Sequence, residues 1–156
     1  MDWSTLHLHL MLNHIPILGT VAAALVLGWG LLRRSTEITR LGLVAAVLAA
    51  LLSIPVYLTG EPAEHQLREL DRTVDRHLIH DHEERAETGF IAVLVTGAAA
   101  LVALWLARDP GAGRALPCLV CAGLIVSFGL FAVAAVSGGQ IRHPELRPEP
   151  AGTPAQ

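Results

Sequence analysis

The chain has 156 residues, 53% of them apolar, a mean hydropathy of +0.51 and a formal net charge of −3. That charge gives no reason to expect a nucleic-acid partner. The hydropathy is high for a soluble domain.

Four runs without an ionised side chain follow one another: Ile15 to Leu32, Leu41 to Leu58, Phe90 to Ala107 and Ala115 to Val136. A helix of about 18 residues is about 27 Å long, close to the hydrocarbon thickness of a bilayer. One such run would suit a buried core helix. Four of them leave too little polar chain to wrap a soluble globule. They lack the alternation of barrel strands, and lipid admits only helices or closed barrels. The predicted fold is therefore all-α: an integral membrane four-helix bundle, one domain over 1–156, with spans over about 10–32, 41–59, 88–108 and 115–137.

Met1-Asp2-Trp3-Ser4 lacks the basic region of a cleavable signal peptide, and Arg33-Arg34 follows the first run instead. The short loops carry Arg33, Arg34, Arg40, Arg108 and Arg114 against Glu37 and Asp109. The positive-inside rule puts such loops in the cytoplasm and both termini on the periplasmic side of a bacterial inner membrane. Arg68, Arg72, Arg76 and Arg85 in the central loop weigh against that orientation. The first partner expected is the lipid bilayer. Membership of a larger membrane complex or a homo-oligomer is also open.

Residues 61–87 form the polar insert. Leu67 to Val74 mixes apolar and charged positions at helical spacing, and no Gly or Pro interrupts the chain from Val74 until Gly89. This predicts an additional amphipathic, interfacial helix between spans two and three, and a third-span helix that starts in water. Pro144, Pro148, Pro150 and Pro154 predict an irregular tail over 138–156.

The eight histidines are His7, His9, His14, His65, His77, His80, His82 and His143. An even number of spans brings the two termini and the central insert, which hold all of them, to one membrane face. Imidazole is the commonest protein ligand for transition metals and haem iron. At 100° per residue His82 shares a stripe with Ala86, Gly89, Val93, Thr96, Gly97 and Ala100. Small residues line helix contacts in membranes or leave room for a cofactor, so His82 is predicted to point inward. His80 and His77 lie beside acidic residues and read as solvated. His14 stands two residues before Pro16, next to Asn13, where the carbonyl of Leu12 loses its helical donor. A polar residue at membrane depth is a functional candidate. His7 falls nearly on the stripe of His14, whereas His9 points elsewhere. Gly138-Gly139 permits a sharp turn after the fourth span, which would deliver His143 over the bundle mouth beside His14 and His82. Arg142 would then pair with a haem propionate, a lipid phosphate or Glu83.

Asn13-His14-Ile15-Pro16, His82-Glu83 and Ile141-Arg142-His143-Pro144-Glu145 together resemble a group of small four-span bacterial membrane proteins, membrane cytochrome b-like in character. The resemblance implies His14, His82 and His143 as the positions of interest. It does not identify the ligand.

Haem b fits first, since a four-helix bundle can set imidazoles on facing helices and a small-residue interior would accommodate a porphyrin. The ligand candidates are His14, His82, His143 and His7, with Arg142 as a charge partner. Covalent c-type attachment is excluded by the lack of a C-x-x-C-H motif. Copper or zinc is the alternative, held by His14, His82, His143 or His65 with a carboxylate such as Glu61, Glu64 or Glu83. A membrane quinol or a periplasmic redox protein would exchange electrons with a haem. Pro117-Cys118-Leu119-Val120-Cys121 also resembles the C-x-x-C of four-span thiol/quinone oxidoreductases. Those enzymes need a second cysteine pair that this chain lacks, and two apolar-flanked cysteines in a membrane helix are more often packed core.

Overall fold

The computed structural model describes residues 4–109, 111 and 113–147, and among them every regular element is helical. The helices are α1 (Thr5–Leu12), α2 (Ile15–Arg33), α3 (Thr36–Leu58), α4 (Gly60–Leu70), α5 (Arg76–Leu106) and α6 (Ala115–Arg142), followed by a 3₁₀ turn at Pro144–Leu146. Four helical stretches are long and apolar enough to cross a membrane: Thr5–Arg33, Thr36–Leu70, Arg76–Leu106 and Ala115–Arg142. The all-α bundle read from hydropathy is the observed fold. The helical stretches run several residues beyond the hydrocarbon-sized runs at most ends, into the surrounding polar layers.

Local chemistry sets the breaks. Pro16 lacks an N–H to continue the ladder, and the chain turns at Asn13-His14 between α1 and α2. Arg34 ends α2 in the left-handed region at φ 52°, and the Ser35 N–H reaches back to the Gly30 carbonyl at 3.0 Å. Ser35 then caps α3 by accepting from the Ile38 N–H. Asp75 caps α5 in the same way through the His77 N–H at 2.9 Å.

The spans pack in a ring, α2 and α5 each lying against both α3 and α6. Helix α1 lies across α4 at the end opposite the short loops, tied by the Leu6 N–H donating to Gln66 Oε1 at 2.9 Å. One core cluster joins Ala23, Leu27, Leu43, Ala46, Ala100, Ala103, Val120 and Leu124. A second, nearer the histidine end, joins Ala50, Val93 and Phe131 with Ile17 and Leu94. Buried hydroxyls bond to their own helices: Thr20 to Pro16 O, Ser53 to Ala49 O, Thr96 to Ala92 O and Ser127 to Gly123 O. No polar side chain therefore has to find a partner across the lipid-facing core. Outside, Leu25, Val95 and Leu119 stand 65–68% exposed, which suits hydrocarbon and not water.

Three sequence expectations need correction. Gly138-Gly139 does not turn the chain, because α6 continues through both residues to Arg142. The small interior residues do not hollow out the bundle. A Cβ at Gly42 would stand 2.5 Å from Leu27 Cα, one at Gly89 2.9 Å from Phe131 Cδ1, and one at Gly97 would strike Ala50 Cβ. Helices use these positions to approach one another. The insert is helix α4, a turn over Asp71–Asp75 and the start of α5, so Leu67 to Val74 is helical only as far as Leu70.

Candidate functional site

All eight histidines lie at the end of the bundle away from the two short loops. His82 sits two turns above Gly89 on α5, on the stripe that buries Gly89, Val93, Thr96, Gly97 and Ala100. Its ring rests against bare backbone on α6, where a Cβ at Gly138 would come within 2.9 Å of Cε1. Nδ1 lies 2.8 Å from the Ala134 carbonyl oxygen. A carbonyl only accepts, so Nδ1 carries the proton and Nε2 keeps its lone pair. Ser137 donates to the same carbonyl at 2.8 Å and completes the seat.

His9 was expected to point elsewhere and instead turns into the mouth. It is half-buried, with Nδ1 3.2 Å from Thr59 Oγ1 and Cε1 against Gly60. The Thr59 hydroxyl already donates its proton to the Val56 carbonyl at 2.9 Å. With that proton so placed the hydroxyl accepts from His9 Nδ1–H, and the Val56 carbonyl is a further acceptor for the same imidazole. The imidazoles of His9 and His82 are close enough for their charges to interact. Four residues after His9, on the same helical face, Asn13 Oδ1 is buried with no hydrogen-bond donor. Neither imidazole Nε2 has a hydrogen-bond partner among the described residues, and Arg68 Nε on α4 is, like Asn13 Oδ1, buried without one.

The other named residues stand apart from this pair. His14 is exposed at the start of α2. His7 is exposed and bonds Ser4 Oγ at 2.7 Å. His65 faces Glu61 at 4.0 Å, and His77 faces Asp81 at 3.1 Å, both on the surface. His80 is exposed, as its stripe requires. The chain after α6 folds back on the end of that same helix: Arg147 donates to the Gln140 and Ile141 carbonyls, and Gln140 to the Leu146 carbonyl. His143 is consequently held outside, Nδ1 2.9 Å from Glu145 Oε1. That contact and a bond to its own backbone hold the Glu145 carboxyl below the usual range. Arg142 is engaged with Asp71 Oδ2 at 3.1 Å and not with Glu83. Asp71 is lowered chiefly by hydrogen bonds from Thr73, with Arg142 adding to it. Pro148, Pro150 and Pro154 lie outside the described residues.

The described residues gather no group of three His, Cys, Asp or Glu able to hold a metal ion. Cys118 and Cys121 are free thiols on the first turns of α6, and Cys121 Sγ leans on the Ala24 carbonyl at 3.9 Å. Thirteen residues of helix, about 20 Å at 1.5 Å each, separate Cys121 from the Ala134 carbonyl that seats His82.

His9 is the residue that sequence reasoning passed over. Its spacing of four from Asn13 was the available signal, since both then share a face. No family model matches the chain, and no curated protein or solved structure is significantly similar to it.

Proposed function

We propose that this chain is an integral membrane haem b-binding electron-transfer protein, with His82 and His9 as the iron ligands at the non-cytoplasmic face. The observation that supports it is a matched pair of Nδ1 contacts. Two half-buried imidazoles, from elements more than seventy residues apart in sequence, each anchor Nδ1–H to the protein and leave Nε2 bare. That is the arrangement of a metal-binding histidine, whose second nitrogen is fixed by a hydrogen bond that also raises ligand basicity. The donor set fits two-imidazole ligation at the mouth, above the packed spans; it does not fit a porphyrin set between them. Bound there, haem supplies one-electron redox chemistry to a membrane quinol or a periplasmic redox protein. The protein's own part is to hold both rings in orientation, through Ala134 and Gly138 for His82 and through Thr59 for His9. Copper or zinc would need a third donor that the described residues do not bring to this pair. The arginine-dense short loops support the orientation with the mouth outside the cytoplasm.

The test is the absorption spectrum of the purified protein, oxidised and reduced. A Soret band with reducible α and β bands is expected. It should be lost or greatly weakened in His82→Ala and His9→Ala, partly restored by external imidazole, and kept in His80→Ala and His143→Ala. A wild-type protein that stays colourless when produced with ample haem overturns the reading.

A further inference from the structure

The opposite end of the bundle carries a second site. A cleft of about 570 Å³ opens where α2, α3, α5 and α6 end at the short loops. Arg34, Arg40 and Arg114 line it. Two of these arginines are held in place across helix boundaries. Arg40 donates to the Ala107 carbonyl at the end of α5 at 2.7 Å, and Arg114 donates to the Leu31 carbonyl near the end of α2. A guanidinium has five N–H donors, so each keeps most of them for something else. The lining's acidic residue, Asp109, turns Oδ1 to the Gly111 N–H of its own loop at 2.8 Å. Three arginines against one aspartate leave the lining at +2. The first turn of α3 opens into the same cleft, with the hydroxyls of Thr36 and Thr39 beside it; helix N-terminal N–H groups favour an anion. Below this polar rim the cleft is apolar, with Leu31, Leu106 and Leu116.

A cationic rim over an apolar floor, at the depth where a spanning helix leaves the bilayer, suits one chemical class. We propose that this cleft binds the phosphate of an anionic phospholipid, with Arg34, Arg40 and Arg114 around the headgroup and the leucines against its acyl chains. Inorganic phosphate or a soluble phosphate ester would satisfy the rim and leave the floor empty. A zwitterionic lipid would fill the floor but bring no net charge for the rim.

The test uses the full chain in a mild non-ionic detergent, with tryptophan fluorescence and thermal unfolding as readouts; Trp29 and Trp105 lie near this end. Short-chain phosphatidylglycerol, short-chain phosphatidylcholine and inorganic phosphate are titrated separately. Saturable binding and a raised melting temperature are expected with phosphatidylglycerol, and a weaker response with the other two. Equal response to inorganic phosphate overturns the lipid assignment, and equal response to phosphatidylcholine overturns the role of the arginines. Arg34→Gly is the informative variant, because glycine suits the left-handed backbone at φ 52° and the fold should persist. It should weaken phosphatidylglycerol about fivefold, the worth of one arginine at an anionic lipid surface. Unchanged affinity in Arg34→Gly together with Arg40→Gln refutes the site.

Discussion

Gly138→Ala separates the seating of His82 from the stability of the bundle. The added Cβ would stand 2.9 Å from Cε1 and 3.1 Å from Nδ1 of His82, where ordinary contact begins at 3.4 Å. The imidazole must retreat by roughly half an ångström, which stretches the 2.8 Å contact of Nδ1 with the Ala134 carbonyl to the edge of hydrogen-bond range. Weakening that bond costs at most about 1 kcal/mol. The carbonyl is not orphaned, because Ser137 still donates to it. Replacing glycine by alanine inside a helix returns up to about 1 kcal/mol. The two nearly cancel, so the melting temperature in detergent should move by only a few degrees. The ring should change a great deal: nitrogen-15 spectra of labelled histidine should show a single Nδ1–H tautomer at His82 in the parent and a mixture in the variant. Haem affinity should fall about 10- to 100-fold, as for other losses of an outer hydrogen bond to a ligand. An unaltered tautomer in Gly138→Ala would refute the proposed seat. Loss of folding by several kcal/mol would show instead that Gly138 serves helix approach.

Two further outcomes test the frame around the site. Gly42→Ala should destabilise the bundle by about 1–3 kcal/mol, because the obstacle at 2.5 Å is Leu27 backbone and cannot swing aside, whereas Gly129→Ala, with nothing within 4 Å, should be neutral or slightly stabilising; thermal unfolding of both in one detergent decides it. Reporter fusions at Arg34 and at the C-terminus should place the short loop in the cytoplasm and the tail outside; a cytoplasmic tail reverses the orientation and puts the histidines inside.

The sequence made the spans legible because charge-free runs of bilayer length have few other uses. It also made His82 legible, because its stripe of Gly89, Gly97 and Ala100 runs unbroken into the buried face of α5. The first histidines were misread for a definable reason. Reading His7 and His14 as one stripe assumes a single helix, and the turn at Asn13-His14 before Pro16 breaks the phase between α1 and α2. Once α1 is taken alone, His9 and Asn13 share the inward face and His7 and His14 fall outside. Gly138-Gly139 misled in another way. Glycine permits a turn but also permits contact, and here a bare backbone is what the His82 ring and the Leu146 side chain rest on. Sequence could not choose between those uses, because the choice depends on a ring arriving from α5, more than fifty residues earlier.

The polar balance of the mouth differs from that of the spans. Elsewhere in the bundle, buried hydroxyls spend their protons within their own helix, so the spans carry no unmet demand. At the mouth the pattern reverses. Thr59 and Ser137 both give their protons to carbonyls, and both histidine Nδ1–H groups are spent as well. What remains unpaired is two Nε2 lone pairs, the enclosed Asn13 Oδ1 and, on α4, the enclosed Arg68 Nε. An enclosed acceptor left unpaired costs about 1–3 kcal/mol, and half-buried imidazole nitrogens cost less because water can still reach them. Under the proposed function a metal centre would take the imidazole lone pairs, and a water or a ligand with a proton to give would satisfy Asn13. Each ring rests its Nδ1 on the scaffold, on the Ala134 carbonyl for His82 and on Thr59 for His9, and the spectrum of the purified protein tests whether Nε2 takes a cofactor.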